Sequence, residues 1–184
     1  QVADVENFLV KEVDLLIISP NEAQPLTAIV AEVYDKGIPV IVLDRKILLD
    51  KYTVFIGADN TLIGEAAGQY AANLLDGKGK VVEIWGLKGS TPALERHQGF
   101  INGIQEYPEI EIIYEQDGAW LRRKGREIME NALQRFEKID LIYTIIFLIP
   151  VVSMVYLNLY LAIPRFLRME RYLWYTLSFL LLLG

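Results

Sequence analysis

The run IVLDRK sets an aspartate and an arginine side by side, Asp44 and Arg45, at the end of a short apolar stretch. An ionised carboxylate accepts from neighbouring hydroxyls and a guanidinium donates a planar fork, so the pair suits a polyol. The plainer alternative is an Asp that caps a turn and an Arg that pairs with a surface acid. GADN brings Asp59 and Asn60, either of which can cap a following helix. GSTPALERHQGF offers free backbone N–H groups at a helix N-terminus, with Arg96 about one turn inside. QDGAWLRR carries Trp120, either an anchor for the next helix or a flat platform for the C–H face of a sugar. Ser19 and Asn21 end another apolar run, DLLIISPN.

Several chemistries are disfavoured. The single histidine, His97, has no second His and no Cys at ligand spacing, and is expected to be a solvated helix residue. With no cysteine there is neither a disulfide nor a thiolate metal site. No phosphate-cradling glycine motif follows a strand, and GKGK at 77–80 reads as a hairpin-like turn. No nucleophile and base pair suggests hydrolysis, so no enzyme activity, cofactor or metal is expected. A net charge of −6 argues against a nucleic-acid partner. The basic run LRRKGR at 121–126 fits a solvated helix face.

The elements that position these residues alternate. Apolar runs at 14–19, 38–44, 53–57, 80–86 and 109–115 read as strands of a parallel sheet covered by helices. Helical spacing appears at the N-terminus, then at 25–37, 61–75, 91–107 and 121–138, with Thr91-Pro92 opening one helix. Strict β/α alternation predicts an open α/β architecture, whose ligands bind beyond the carboxyl ends of the strands. Asp44, Arg45, Asp59, Asn60, Ser19, Asn21 and Trp120 all fall at or just after such ends.

Hydrophobic residues make up 53% of the 184-residue chain, and the excess lies toward its end. From Leu141 on, the charges are Arg165, Arg168, Glu170 and Arg171 alone. An uncharged run of about 23 residues, 141–163, is roughly 35 Å long as a helix and would cross a bilayer. A basic loop at 164–172 and a shorter apolar run at 173–184 follow, the latter a second span cut short. The positive-inside rule puts the loop in the cytoplasm and the α/β part outside, although Arg135 and Lys138 flank the other end. The first span is expected to begin near Asp140 or Leu141, removing IDLIY from the sheet.

The motifs DLLIISPNEAQPL, GIPVIVLDRK, FIGADN and GEAAGQYAANLLDGKGKVVEIWGLKGSTPALERHQGF, with the Trp120 helix, resemble the type I periplasmic sugar-binding fold. This is the ribose-binding and lactose-repressor effector-domain family, and in particular the sensor domains of Bacteroidetes hybrid two-component systems. The resemblance covers about 1–143. It implies two α/β lobes that close on a monosaccharide. Asp44 and Arg45 would bind sugar hydroxyls, Arg96 would reach in from the second lobe and Trp120 would stack on the sugar. Ser19 and Asn21 would sit at the cleft loop, with Asp59 and Asn60 near the crossing between lobes. Relative to that family the first strand would lie before Gln1, and the strand IDLIY runs into TIIFLIP where a further half-lobe is expected. Residues 145–184 resemble the multi-span membrane region of LytS-type sensor histidine kinases, without the kinase's catalytic domains. The two resemblances imply a sugar sensor in the inner membrane with a periplasmic N-terminal domain. Its partners would be a sugar, the lipid bilayer, and a second copy or a kinase. Two alternatives are a product of two partial signalling genes without independent function, and a soluble LacI-type effector domain.

Overall fold

The computed structural model describes residues 1–144. They form eleven elements: α1 (Val2–Val10), β1 (Leu16–Ile18), α2 (Ala23–Asp35), β2 (Val40–Leu43), β3 (Val54–Ile56), α3 (Asn60–Leu74), β4 (Lys78–Trp85), α4 (Thr91–Ile104), β5 (Glu109–Asp117), α5 (Arg122–Arg135) and β6 (Leu141–Thr144). The parallel pairing is as the apolar runs predict, and the α/β alternation holds except that β2 leads to β3 with no helix between them. The strands divide into two three-stranded parallel sheets, ordered β1-β2-β3 and β5-β4-β6.

In the first sheet, Leu16, Val40 and Val42 face α2, whose Leu26, Ile29, Val30 and Val33 recur at helical spacing and are buried with them. Its other face departs from the expectation of strands covered on both sides. Ile17 and Ile56 are each 57% exposed and Val54 41%. An apolar run read from sequence does not reveal which of its two faces a helix will reach.

α3 leaves the first sheet and enters the second. Its Ala71 and Ala72 pack with Val81, Phe100, Ile104 and Ile110. α3 and α4 touch through glycines spaced four apart on each helix: Gly99 against Gly64, and Gly103 against Gly68. A Cβ at Gly99 would collide with the carbonyl oxygen of Thr61, and one at Gly103 would lie 2.8 Å from the backbone nitrogen of Gln69. GKGK is not a hairpin: Asp76 and Gly77 adopt positive φ, 49° and 77°, and carry α3 directly into the parallel strand β4.

The last described element overturns an expectation. Leu141–Thr144 pairs with β4 in the register Val81↔Leu141 to Ile84↔Thr144, so these residues are a strand and not the start of a membrane helix. The strand wins because its neighbours fit it. Asp140 donates its N–H to Lys80 O and accepts from Lys80 N, both at 2.9 Å, and pairs with Lys138 at 3.0 Å. Tyr143 stacks on Phe100 with ring centroids 4.1 Å apart. Among the described residues no helix is long and apolar enough to cross a membrane. The remainder of the expected span at 145–163, the basic loop at 164–172 and the second run at 173–184 lie outside the described residues.

Candidate functional site

The carboxyl end of β2 folds into a tight corner. Asp44 takes a left-handed backbone, φ 61°, a conformation Asp tolerates better than most residues. Its N–H still donates to Ile56 O at 2.9 Å, while Arg45 N turns back to Leu43 O at 2.6 Å. The corner leaves the Asp44 carboxylate 64% exposed. The Arg45 guanidinium, largely buried, donates through Nη1 to Asn21 O at 3.2 Å and to Asn21 Oδ1 at 3.0 Å. Its Nε lies 3.7 Å from Asp44 Oδ2. Asn21, Asp44 and Arg45 therefore converge, as the strand-end reading expects.

The GADN pair divides its work. Asp59 is the N-cap of α3: its Oδ1 accepts from Thr61 N at 3.0 Å and Leu62 N at 3.1 Å. Asn60 is buried and accepts from Arg96 Nε at 2.8 Å through its side-chain oxygen. Burial pushes the Arg96 guanidinium below its ordinary value, and the nearby Tyr143, Asp44 and Glu95 oppose that shift. Asp44, from the first sheet, is thus within electrostatic reach of Arg96, from the second. Two further contacts join the same loops: Lys46 N donates to Thr91 Oγ1 at 2.8 Å, and Ala23 N to Gly89 O at 3.0 Å.

Trp120 stands at the carboxyl end of the second sheet. It adopts φ 58°, and its six-membered ring lies against Gly86 so closely that a Cβ there would collide with it. The ring is half-buried and its Nε1 is buried without a hydrogen-bond partner. Ser19 goes elsewhere. It lines a cavity of about 370 Å³ between α1 and β1, with Asp4, Phe8 and Leu16. Its carbonyl accepts from the Gln1 side-chain amide, whose oxygen takes the N–H of Asn21 at 2.8 Å.

Two groups escaped the sequence reading. Glu83, in the middle of the apolar strand KVVEIWG, is wholly buried. Its Oε2 meets His97 Nδ1 at 2.8 Å, and His97 packs against Trp85 with ring centroids 4.1 Å apart and planes tilted by 30°. His97 is therefore a packed residue and not a solvated one. The signal was present: Ala93, His97, Phe100 and Ile104 recur at core spacing along α4. Burial pushes the Glu83 carboxyl up, with the facing His97 opposing that shift. Tyr143, also missed, is pushed up to about 12 by burial and then by Glu83, against the pull of Arg96. Such a group stays neutral at physiological pH and is no general base.

The arrangement offers an exposed carboxylate, two fixed guanidinium groups, an amide and an indole face. These can hold a neutral polyhydroxylated ligand by accepting and donating hydrogen bonds. A sequence profile described as "Periplasmic binding protein domain" matches residues 1–146. The galactofuranose-binding protein of Escherichia coli is 36% identical over 138 residues, 73% of this chain and 43% of that protein. The ribose import binding protein of Bacillus subtilis is 30% identical over 143 residues, 78% of this chain and 46% of that protein. The chain thus spans about half the length of the curated relatives it matches. Among solved structures, the fructose-binding periplasmic domain of a hybrid two-component system is 55% identical, with a TM-score of 0.74. That match covers 78% of this chain and 48% of the other.

Proposed function

The chain belongs to the periplasmic binding protein domain family, and from that premise we propose that it contributes one wall of a monosaccharide-binding cleft. The carrying observation is the corner at Asp44-Arg45, which exposes a carboxylate beside a guanidinium already fixed by Asn21. Arg96, anchored by Asn60, supplies a second donor from the other sheet. In this reading Asp44 accepts from two adjacent hydroxyls, Arg45 and Arg96 donate to ring or hydroxyl oxygens, and Trp120 covers an apolar sugar face. Asp59 serves the site indirectly, through the helix that starts at Asn60 and meets Arg96. Nothing in the proposed role requires bond making or breaking, and the ligand leaves unchanged.

Similarity to the fructose-binding sensor domain favours a ketose and a place in signalling, and similarity to the galactofuranose-binding protein favours a furanose ring. The sequence of residues 145–184 supports a tether to the inner membrane, with the α/β part on the periplasmic side. Calorimetric titration of the full chain with fructose, ribose, arabinose and glucose tests the reading. Saturable binding of one sugar, weakened at least tenfold in Asp44→Asn, is expected. No heat with any of them in a folded chain would overturn it.

A further inference from the structure

We propose that Glu83, His97 and Glu115 form a binding site for a divalent transition-metal cation of the zinc class, separate from the sugar cleft. Glu83 and Glu115 lie opposite each other in the β4–β5 register, on the sheet face that α4 covers, and His97 reaches down from that helix. One ligand atom from each residue falls within 4.8 Å of the other two. Zinc bonds to nitrogen and carboxylate oxygen are about 2.0–2.2 Å long. Ligand atoms on one ion therefore sit roughly 3–4 Å apart, and Glu115, at an exposed strand edge, can close the remainder.

A second observation points to a ligand here. Glu83 is wholly buried, and its Oε1 has no hydrogen-bond partner. A buried carboxylate with one oxygen unsatisfied is costly, and a cation satisfies it directly. The charge balance agrees. Two carboxylates face one imidazole, and among the described residues the cation paired with them is Lys88, 3.7 Å from Glu115 and 40% exposed. Lys88 rests over Trp85 at 4.3 Å, and an ion bound to Glu115 would take over its pairing there while Lys88 turns to solvent. Trp85 also packs against His97, ring centroids 4.1 Å apart, and limits the turning of the imidazole. One nitrogen and two oxygens suit zinc, nickel or cobalt better than magnesium or calcium, and a water would complete the tetrahedron. The ion would clamp α4, which carries Arg96, to two strands of its sheet.

The test uses the full chain, purified in mild detergent through a tag without histidine and stripped with a chelator. It is titrated with Zn²⁺ and, separately, Co²⁺, following tryptophan fluorescence, heat and the visible absorption of cobalt. The chain has one histidine and no cysteine, so a nitrogen-ligated cobalt spectrum identifies this site alone. One ion per chain is expected, with a change in tryptophan fluorescence and no comparable response to Mg²⁺. His97→Ala should abolish the cobalt bands, and Glu115→Gln should weaken binding at least tenfold. Glu115 is exposed at a strand edge, so Glu115→Gln keeps the fold, which far-ultraviolet circular dichroism verifies. No binding to the unsubstituted chain overturns the proposal. So does binding that both variants retain, which would mean adventitious association elsewhere.

Discussion

Replacing Gly99 by alanine tests the seam between α3 and α4 and, through it, the placement of Arg96. The added Cβ would collide with Thr61 O and lie 2.8 Å from Glu65 N, both of them backbone atoms that cannot rotate away. Relief requires the helices to part by about 1 Å, and overpacking of this kind costs about 3 kcal/mol at the upper end of its usual range. Alanine returns about 1 kcal/mol through its better helix propensity. The net expectation is a loss of about 2 kcal/mol, or roughly 4–8 °C in Tm for a chain of this length. Urea unfolding and thermal melts measure it, with Gln98→Ala as the control: that side chain is exposed one residue away and should change stability by less than about 0.5 kcal/mol. Because Arg96 and Asn60 sit at this end of the seam, sugar affinity should fall as well, at temperatures where the variant is still folded. An unchanged or raised Tm for Gly99→Ala would refute the close approach of the two helices.

Other outcomes follow from the same contacts. Asn60→Ala removes the acceptor of Arg96 Nε, and a hydrogen bond to a charged group carries about 1.5–3 kcal/mol; a loss of that order in stability and about tenfold in sugar affinity is expected by denaturation and calorimetry. Trp120→Ala should weaken sugar binding by about tenfold while leaving the amide exchange of β5 unchanged, if the ring serves the ligand and not the sheet. The backbone N–H of Lys80 and then Lys138 hold the Asp140 carboxyl below its ordinary value of 3.8. That stabilisation is present above 3.8 and is lost as pH falls through the depressed range, so protection of the β6 amides, taken relative to their intrinsic exchange, should fall there, and Asp140→Asn should remove that fall.

The parts of this molecule that were legible in sequence are those with local causes. Strand and helix alternation shows in spacing over a dozen residues, and the convergence of Asn21, Asp44 and Arg45 beyond the strand ends follows from parallel topology alone. GADN was legible as a cap, but the division of labour was not, since Asn60 owes its role to Arg96, far along the chain. The α3–α4 seam needs two glycine pairs in different segments to be read together. Glu83 sits within an apolar strand run with nothing local to mark it, and its histidine partner lies fourteen residues away on the covering helix. At 141–144 two readings competed for the same apolar letters. Hydropathy favoured a span, and the deciding groups were the backbone of Lys80 and the ring of Phe100, which no local window contains.

Three consecutive residues at the β2 corner take three different directions, and one backbone angle makes that possible. Asp44 opens to solvent, Arg45 turns to Asn21 in the loop after β1, and Lys46 reaches Thr91 and Glu95 on α4. With φ at 61° on Asp44, a side chain with a branched Cβ is strained, whereas asparagine is accommodated. Asp44→Asn and Asp44→Val therefore separate charge from geometry. Asparagine should leave the Tm within about 1 °C, since the residue is exposed and the backbone is satisfied, yet lower sugar affinity at least tenfold by losing an ionised acceptor. Valine should add a stability loss of about 1–2 kcal/mol, the cost of forcing a β-branched residue into the left-handed region. It should also disturb the Lys46 and Arg45 contacts together, because both follow from the same turn. Equal melting temperatures for the two variants would mean that the corner relaxes without cost. The claim that Asp44 is presented to the ligand by a fixed backbone would then fail, whatever the sugar affinities were.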